Sequence, residues 1–231
     1  MVRIVLDAGH GGHDPGAVAN GLREKDLTLA IVKHIGRMLA EYEGVELHYT
    51  RTDDRFIELC ERAEIANKLK ADFFISVHIN AGGGTGFESY VYNGGVSAAT
   101  IAYQNVIHQE IMKAIGGVQD RGKKRADYAV LRETHMPAIL TENLFIDNKN
   151  DAAKLKSEQF MLQIAYGHVV GLEKALGLKK KENITVQQQV NQPSNRGLFK
   201  VQIGAFSSED NAKRLAREAK RKGFNVYIVK E

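Results

Sequence analysis

The run Asp72-Phe-Phe-Ile-Ser-Val-His78 constrains the fold more than any other stretch. Phe73, Phe74, Ile75 and Val77 make it nearly continuous in apolar character. A strand of that kind is buried on both faces, which calls for a sheet with helices on each side. Segments of helical spacing supply the cover. Leu27, Ala30, Ile31, Ile35, Met38 and Leu39 share one face of a helix predicted over 26–42. Leu59, Cys60, Ala63, Ala66 and Leu69 mark a second over 56–69, with Cys60 read as a small core residue. Further helices are predicted over 98–115, 147–156 and 157–176. Strands are predicted at 3–7, 45–50, 86–92, 128–131 and 136–142, with a basic, glycine-containing loop over 116–124. Strand and helix alternate, so the expected fold is α/β, a largely parallel central sheet with helices on both faces.

The pattern breaks after residue 177. Residues 178–196 form a polar linker that includes Gln187-Gln188-Gln189 and has little to bury. Residues 197–231 read as a small C-terminal βαβ piece, with strands at 198–204 and 225–229 around a helix at 208–222. Ser207 and Ser208 are positioned to cap that helix, and Glu209 and Asp210 suit its positive end. Pieces below about 40 residues rarely fold alone. No apolar run approaches the roughly 20 residues that span a membrane, so no membrane insertion is expected. The strand that starts at Arg3 reaches the candidate site, so a cleavable signal peptide is not expected and synthesis in the cytoplasm is. The single cysteine excludes an internal disulfide and a cysteine-based zinc site. A net charge of +4 suits an acidic polymer, nucleic acid and anionic cell wall alike.

Polar chemistry collects where the strands end, which is where ligands bind in such sheets. The first strand opens into Asp7-Ala-Gly-His-Gly-Gly-His-Asp-Pro-Gly16, the 72–78 strand ends at His78, and the 136–142 strand ends at Glu142. A zinc hydrolase commonly uses three protein ligands and leaves one position open for water. A further carboxylate takes the proton from that water and returns it to the leaving group. His10, His78 and Glu24 are the candidate ligands. The alternatives are a loop histidine making a turn hydrogen bond, a satisfied core histidine, and a first-turn helix acid.

Several separated motifs then fall in order: Leu6-Asp-Ala-Gly-His-Gly-Gly12, Arg23-Glu-Lys25, Thr50-Arg-Thr-x-Asp54, Arg62-x-x-x-Ala-Asn67, Ile75-Ser-Val-His-Ile-Asn80 and Pro137-Ala-x-x-x-Glu142. Over roughly residues 2–176 the chain resembles the zinc-dependent N-acetylmuramoyl-L-alanine amidases of the amidase-3 type. The resemblance implies Zn2+ ligands at His10, Glu24 and His78 and a catalytic glutamate at Glu142. It also implies hydrolysis of the amide between the lactyl group of N-acetylmuramic acid and L-alanine in peptidoglycan. Members often carry Gly-Phe after that glutamate, where this chain has Asn143-Leu144-Phe145. Asn80 and Arg121 are weaker candidates for substrate contact, and Arg51 and Asp54 for a hydrogen-bonded structural corner.

Residues 199–212 resemble the start of a SPOR-type peptidoglycan-binding repeat, of which about one βαβ half is present, so either the chain is truncated or the half pairs with another copy. Absence of a signal peptide fits a phage endolysin or a sporulation lysin, acting on the wall after release. A peptidoglycan-binding protein without turnover is the alternative reading. The glycine-rich loop lacks the Lys-Ser/Thr ending of a phosphate-binding loop. The C-terminal strands lack the aromatic pairs of an RNA-stacking sheet, so no nucleic-acid partner is expected.

Overall fold

The computed structural model describes residues 1–181 and 208–221. The chain divides into two units, Met1–Asn183 and Ile184–Glu231. The first unit runs β1 (Val2–Ala8), β2 (Val18–Ala19), β3 (Leu22–Arg23), α1 (Glu24–Leu39), β4 (Tyr42–Glu43), β5 (Val45–Tyr49), α2 (Leu59–Lys68), β6 (Phe73–Asn80), β7 (Phe87–Tyr92), α3 (Ala98–Ile115), β8 (Asp120–Ala126), α4 (Ala129–Arg132), β9 (Ala138–Phe145), α5 (Lys149–Leu155), α6 (Glu158–Leu176) and β10 (Lys179–Lys180).

Six strands form the central sheet in the order β5-β1-β6-β9-β7-β8. Each neighbouring pair is parallel except β7 with β9. The chain leaves β1 to one side for β5 and returns on its other side as β6. The crevice beyond the carboxyl ends of β1 and β6 is therefore a topological switch point, where α/β sheets bind ligands.

Helices cover both faces, but unequally. Ile4, Leu6, Phe73, Ile75 and Val77 face a large core closed by α1, α3 and α6. Alternate residues of these strands and of β9 face the other way: Val5, Phe74, Ala138 and Leu140 form a small core with Ala66 of α2 and with Val130 and Leu131 beside β9. That second layer consists of α2 and the single turn α4, and it stops short of the strand ends. A cleft of about 550 Å³ opens there.

Several expectations are corrected. Residues 116–124 are not a basic loop throughout, since β8 runs from Asp120 and forms the sheet edge beside β7. Its charges suit an edge strand, which must discourage pairing with another chain. The strand expected at 128–131 is the helical turn α4, closed by Leu131 and Arg132 N–H groups on the Tyr128 carbonyl. So short an apolar run carries no decisive period. Cys60 is exposed rather than in the core. The helix begins only at Leu59, and its inward face is Arg62, Ala63 and Ala66. Strands β6 and β9 do not end at His78 and Glu142 but continue to Asn80 and Phe145. At the start of the polar stretch 178–196, Leu178 is buried and β10 pairs with β4. The remainder of that stretch lies outside the described residues.

In the second unit the described element is α7 (Glu209–Arg221), with Glu209 and Asp210 in its first turn and an ion pair between Lys213 and Glu209. The strands expected at 198–204 and 225–229 lie outside the described residues. Among the described residues no helix is long and apolar enough to cross a membrane.

One buried group gives the fold a pH signature. His168 of α6 is fully buried; its Nδ1 donates to the Ile164 carbonyl and its Nε2 accepts from the Thr141 hydroxyl. Burial pushes its pKa down to about 4, against the hydrogen bond to Ile164. The folded state thus holds a neutral ring, while the unfolded chain takes up a proton near pH 6.5. Stability is full above that pH and is lost as pH falls toward 4, by about 3 kcal/mol in all at ~1.4 kcal/mol per unit. Urea unfolding as a function of pH is expected to show this slope, and His168→Gln to flatten it.

Candidate metal and catalytic site

The loop after β1 has to turn sharply, and it exposes its carbonyls to the interior in doing so. Two buried arginines satisfy them. Arg51 donates to the carbonyls of Ala8, Gly9, Lys25 and Asp53, and to the Thr28 hydroxyl. Arg62 donates to the carbonyls of Ile57, Ala8 and His10, and pairs with Asp7 at 2.8 Å. Asp7 is fully buried and also accepts from the Thr50 and Ser76 hydroxyls, each at 2.6 Å. Burial alone would raise the Asp7 carboxyl, but Arg62 and the two hydroxyls hold it below the usual carboxylate range. Asp54 completes the corner by accepting from the Gly12 N–H and from Lys25 Nζ.

This scaffold holds His10 in the left-handed backbone region, at φ 62. Its ring meets Glu24, the first residue of α1, with His10 Nε2 at 3.1 Å from Glu24 Oε2. His78 of β6 reaches the other oxygen, with Nδ1 at 2.9 Å from Oε1. Asp14 takes the far nitrogen of His10 at 2.8 Å. The backbone N–H groups of Ala17 and Ile79 donate to Glu24 as well. Two glycines make room. A Cβ on Gly9 would sit 2.3 Å from the His78 ring, and one on Gly16 would sit 2.6 Å from both Glu24 and the His10 ring. Gly16 also has φ 63, which a side chain disfavours.

His10, Glu24 and His78 thus present three ligand atoms within 4.8 Å of one another. The electrostatics of the cluster favour positive charge on its imidazoles. Burial lowers His10, but hydrogen bonding and charge from Glu24 and Asp14 prevail and push it up to about 9. Burial likewise opposes ionisation of Glu24, yet the hydrogen bonds from His10 and His78 hold it far below the usual range. Two imidazoles and a carboxylate in a half-open cleft fit a first-row divalent ion, with Asp14 orienting the first imidazole from behind.

Glu142 of β9 sits next to this cluster because the register makes it so. His78 pairs with Glu142 across β6 and β9, and Glu88 pairs with Glu142 across β9 and β7. All three side chains stand on the thinly covered face. Glu142 Oε2 is buried and, among the described residues, has no hydrogen-bond partner. Burial pushes its pKa up to about 7; Glu24 and Glu88 add to this, while His78 and His10 oppose it. The next residues bend the strand. Asn143 donates to the His78 carbonyl at 3.0 Å, and Leu144 adopts φ 71.

The two weaker candidates for substrate contact have a different neighbour. Asn80 Nδ2 and Arg121 Nε both donate to Glu88, at 2.6 and 2.8 Å. Glu88 is a residue that sequence reasoning missed. It is buried and charged, yet it lies in an alternating stretch where an acid reads as solvent-facing. His13 is exposed and stacks on Phe56, and His135 is exposed too. His34 and His48 pair with Glu158 and Glu46, and His108 with Ser89 and Asp120.

Comparison with known proteins places the chain in a family. The sequence pattern of the Amidase_3 family, described as N-acetylmuramoyl-L-alanine amidase, matches residues 4–174, and that of the SPOR domain matches residues 195–231. A sporulation-specific N-acetylmuramoyl-L-alanine amidase of Bacillus subtilis is 50% identical over 230 residues, covering 99% of this chain and 85% of that protein. An endolysin of Bacillus phage SPP1 is 50% identical over 200 residues, covering 84% of this chain and 74% of its own. The catalytic domain of the amidase CwlV from Bacillus (Paenibacillus) polymyxa superposes with a TM-score of 0.73 at 36% identity, over 78% of this chain and all of that one.

Asp14→Asn tests the orienting role assigned to that carboxylate. It is expected to lower affinity for a divalent transition metal by about 10–100-fold, the usual effect of losing such a partner, as read by competition with a chromogenic chelator.

Proposed function

The chain belongs to the N-acetylmuramoyl-L-alanine amidase family, and on that premise we propose that it hydrolyses the lactyl–L-alanine amide of peptidoglycan with zinc held by His10, Glu24 and His78. The observation that carries this reading is the register pairing of His78 with Glu142, which sets a buried carboxyl, its Oε2 without a hydrogen-bond partner among the described residues, beside a three-ligand cluster.

When bound, zinc supplies Lewis acidity toward the amide carbonyl and lowers the pKa of water. The chain's own residues do the rest. Asp14 fixes the His10 ring so that Nε2 faces the cluster. The Ile79 and Ala17 N–H groups and the two imidazoles hold Glu24 ionised. Glu142 takes the proton of the attacking water and delivers it to the departing L-alanine nitrogen. Burial, which raises its carboxyl toward neutrality, suits it to both directions of transfer. Phe56, Ile57, Leu59 and Tyr128 line the other wall of the cleft and give the substrate an apolar flank. Residues 195–231, which match the SPOR domain, are read as a wall-binding segment. Exposed Lys213, Arg214 and Arg217 on α7 suit an anionic wall polymer.

The test is a digest of purified peptidoglycan with and without chelator, read by mass spectrometry. New L-alanine amino termini with unchanged glycan reducing ends, and recovery on adding zinc, are expected. Cleavage elsewhere in the stem would move the bond and overturn the amidase assignment. Glu142→Gln is expected to retain zinc and to lose about 100- to 10,000-fold in kcat, whereas His78→Ala loses zinc and turnover together. A Glu142→Gln protein of undiminished activity would remove that residue from the mechanism.

A further inference from the structure

Arg121 and Lys124 are three residues apart on β8, a spacing that sends side chains to opposite faces of a regular strand. Here both reach one carboxylate. Arg121 Nε donates to Glu88 Oε2 at 2.8 Å, and Lys124 Nζ donates to the same oxygen. The register shows how. Phe87 pairs with Asp120 and Ser89 with Lys123, so Arg121 and Gly122 together stand opposite Glu88. Gly122 has φ 87, and its N–H is held by Asp120 at 2.7 Å. This is a β-bulge, the device by which strands re-aim side chains beside active sites.

The carboxylate it serves is itself fixed. Glu88 is 2% exposed, and its other oxygen accepts from Asn80 Nδ2 and the Tyr90 hydroxyl, at 2.6 and 2.7 Å. The Arg121 guanidinium lies 4.7 Å over the Phe145 ring. That grips Arg121 by one edge and one face. Among the described residues its terminal nitrogens have no hydrogen-bond partner, and both cations are partly exposed. Two cations on one carboxylate leave a net positive charge. Since β7 lies between β8 and β9, this charge sits two strands from Glu142, about 10 Å at the backbone, and it is drawn onto Glu88, the residue in register with Glu142.

We infer that Arg121 and Lys124, seated on Glu88, form a subsite for a carboxylate on the peptide side of the scissile amide, with Glu88 as its positioning residue. This rests on the amidase reading. The lactyl carboxyl is consumed in the amide, so the substrate's next carboxylate is that of an acidic second residue in the stem. A guanidinium with its terminal nitrogens open is shaped to receive a carboxylate through paired hydrogen bonds.

The experiment compares two muropeptides that differ only in that second residue, one with a free carboxylate and one with a carboxamide. The protein is expected to favour the carboxylate by about tenfold or more in kcat/KM, mainly through KM. Arg121→Gln brings the ratio toward one. Glu88→Gln lowers it too, without changing the substrate-facing groups themselves. Lys123→Gln, on the opposite face where Lys123 bonds Asn105, preserves the ratio. Should Arg121→Gln fail to fold by thermal unfolding, Lys124→Gln is expected to shift the ratio in the same direction. No preference in the unmodified protein, or equal effects of Arg121→Gln on both substrates, overturns the subsite. Absence of new L-alanine termini from either muropeptide instead refutes the amidase reading. Calorimetric titration of the two free stem peptides into the unmodified protein and Arg121→Gln then decides the subsite alone: a carboxylate preference lost in the variant supports it, and equal binding overturns it.

Discussion

Everything at the candidate site hangs on two buried guanidinium groups. The loop after β1 turns its carbonyls inward, and unpaired buried carbonyls are costly. Arg51 and Arg62 satisfy those of Ala8, Gly9 and His10 from α2 and from the corner after β5. A pair of cations in the interior needs a counter-charge, and Asp7 provides it from the end of β1, itself held by Thr50 and Ser76. One network thereby ties β1, the β5 corner, α2 and β6 together at the end of the sheet that carries His10 and His78. A histidine held at φ 62 needs such a frame, because its own backbone preference is for other regions.

The second organising feature is the antiparallel insertion of β7. In a wholly parallel sheet the neighbour of β9 would come from another crossover. Here β7 returns directly from β6 and lays Glu88 in register with Glu142. Two carboxylates on adjacent strands repel, and the structure separates their roles by environment. Glu88 collects Arg121, Lys124, Tyr90 and Asn80 and is held below the usual carboxylate range despite its burial. Glu142 receives none of these partners, and burial raises it. The cationic edge strand thus keeps one acid ionised and leaves the neighbouring acid poised to exchange a proton.

Uneven covering of the sheet produces the cleft. Long helices α1, α3 and α6 cover one face, and they supply most of the core. On the other face α2 and the one-turn α4 protect only the near half of the strands. Polar side chains at the far half, His78 and Glu142 among them, therefore stand over a cleft that no helix among the described residues fills.

Much of this was legible in the sequence. The continuous apolar run at 73–77 announced a central strand, and the helical spacing around Ile31 and Ile35 announced its cover, because burial imposes those periods locally. His10, Glu24, His78 and Glu142 could be named as candidates because their motifs are short and ordered along the chain. The tertiary structure decided what depends on partners distant in sequence. Residues 120–126 become a strand only by pairing with β7, and Tyr128 begins a helical turn only against the small core. Arg121 turns toward Glu88 at the register shift between β8 and β7, and Asn80 does so at a separate shift between β6 and β9, and no local pattern encodes either. Period and motif are properties of neighbours along the chain, whereas register, bulges and the partner of a buried charge are settled only when strands from far apart are laid side by side.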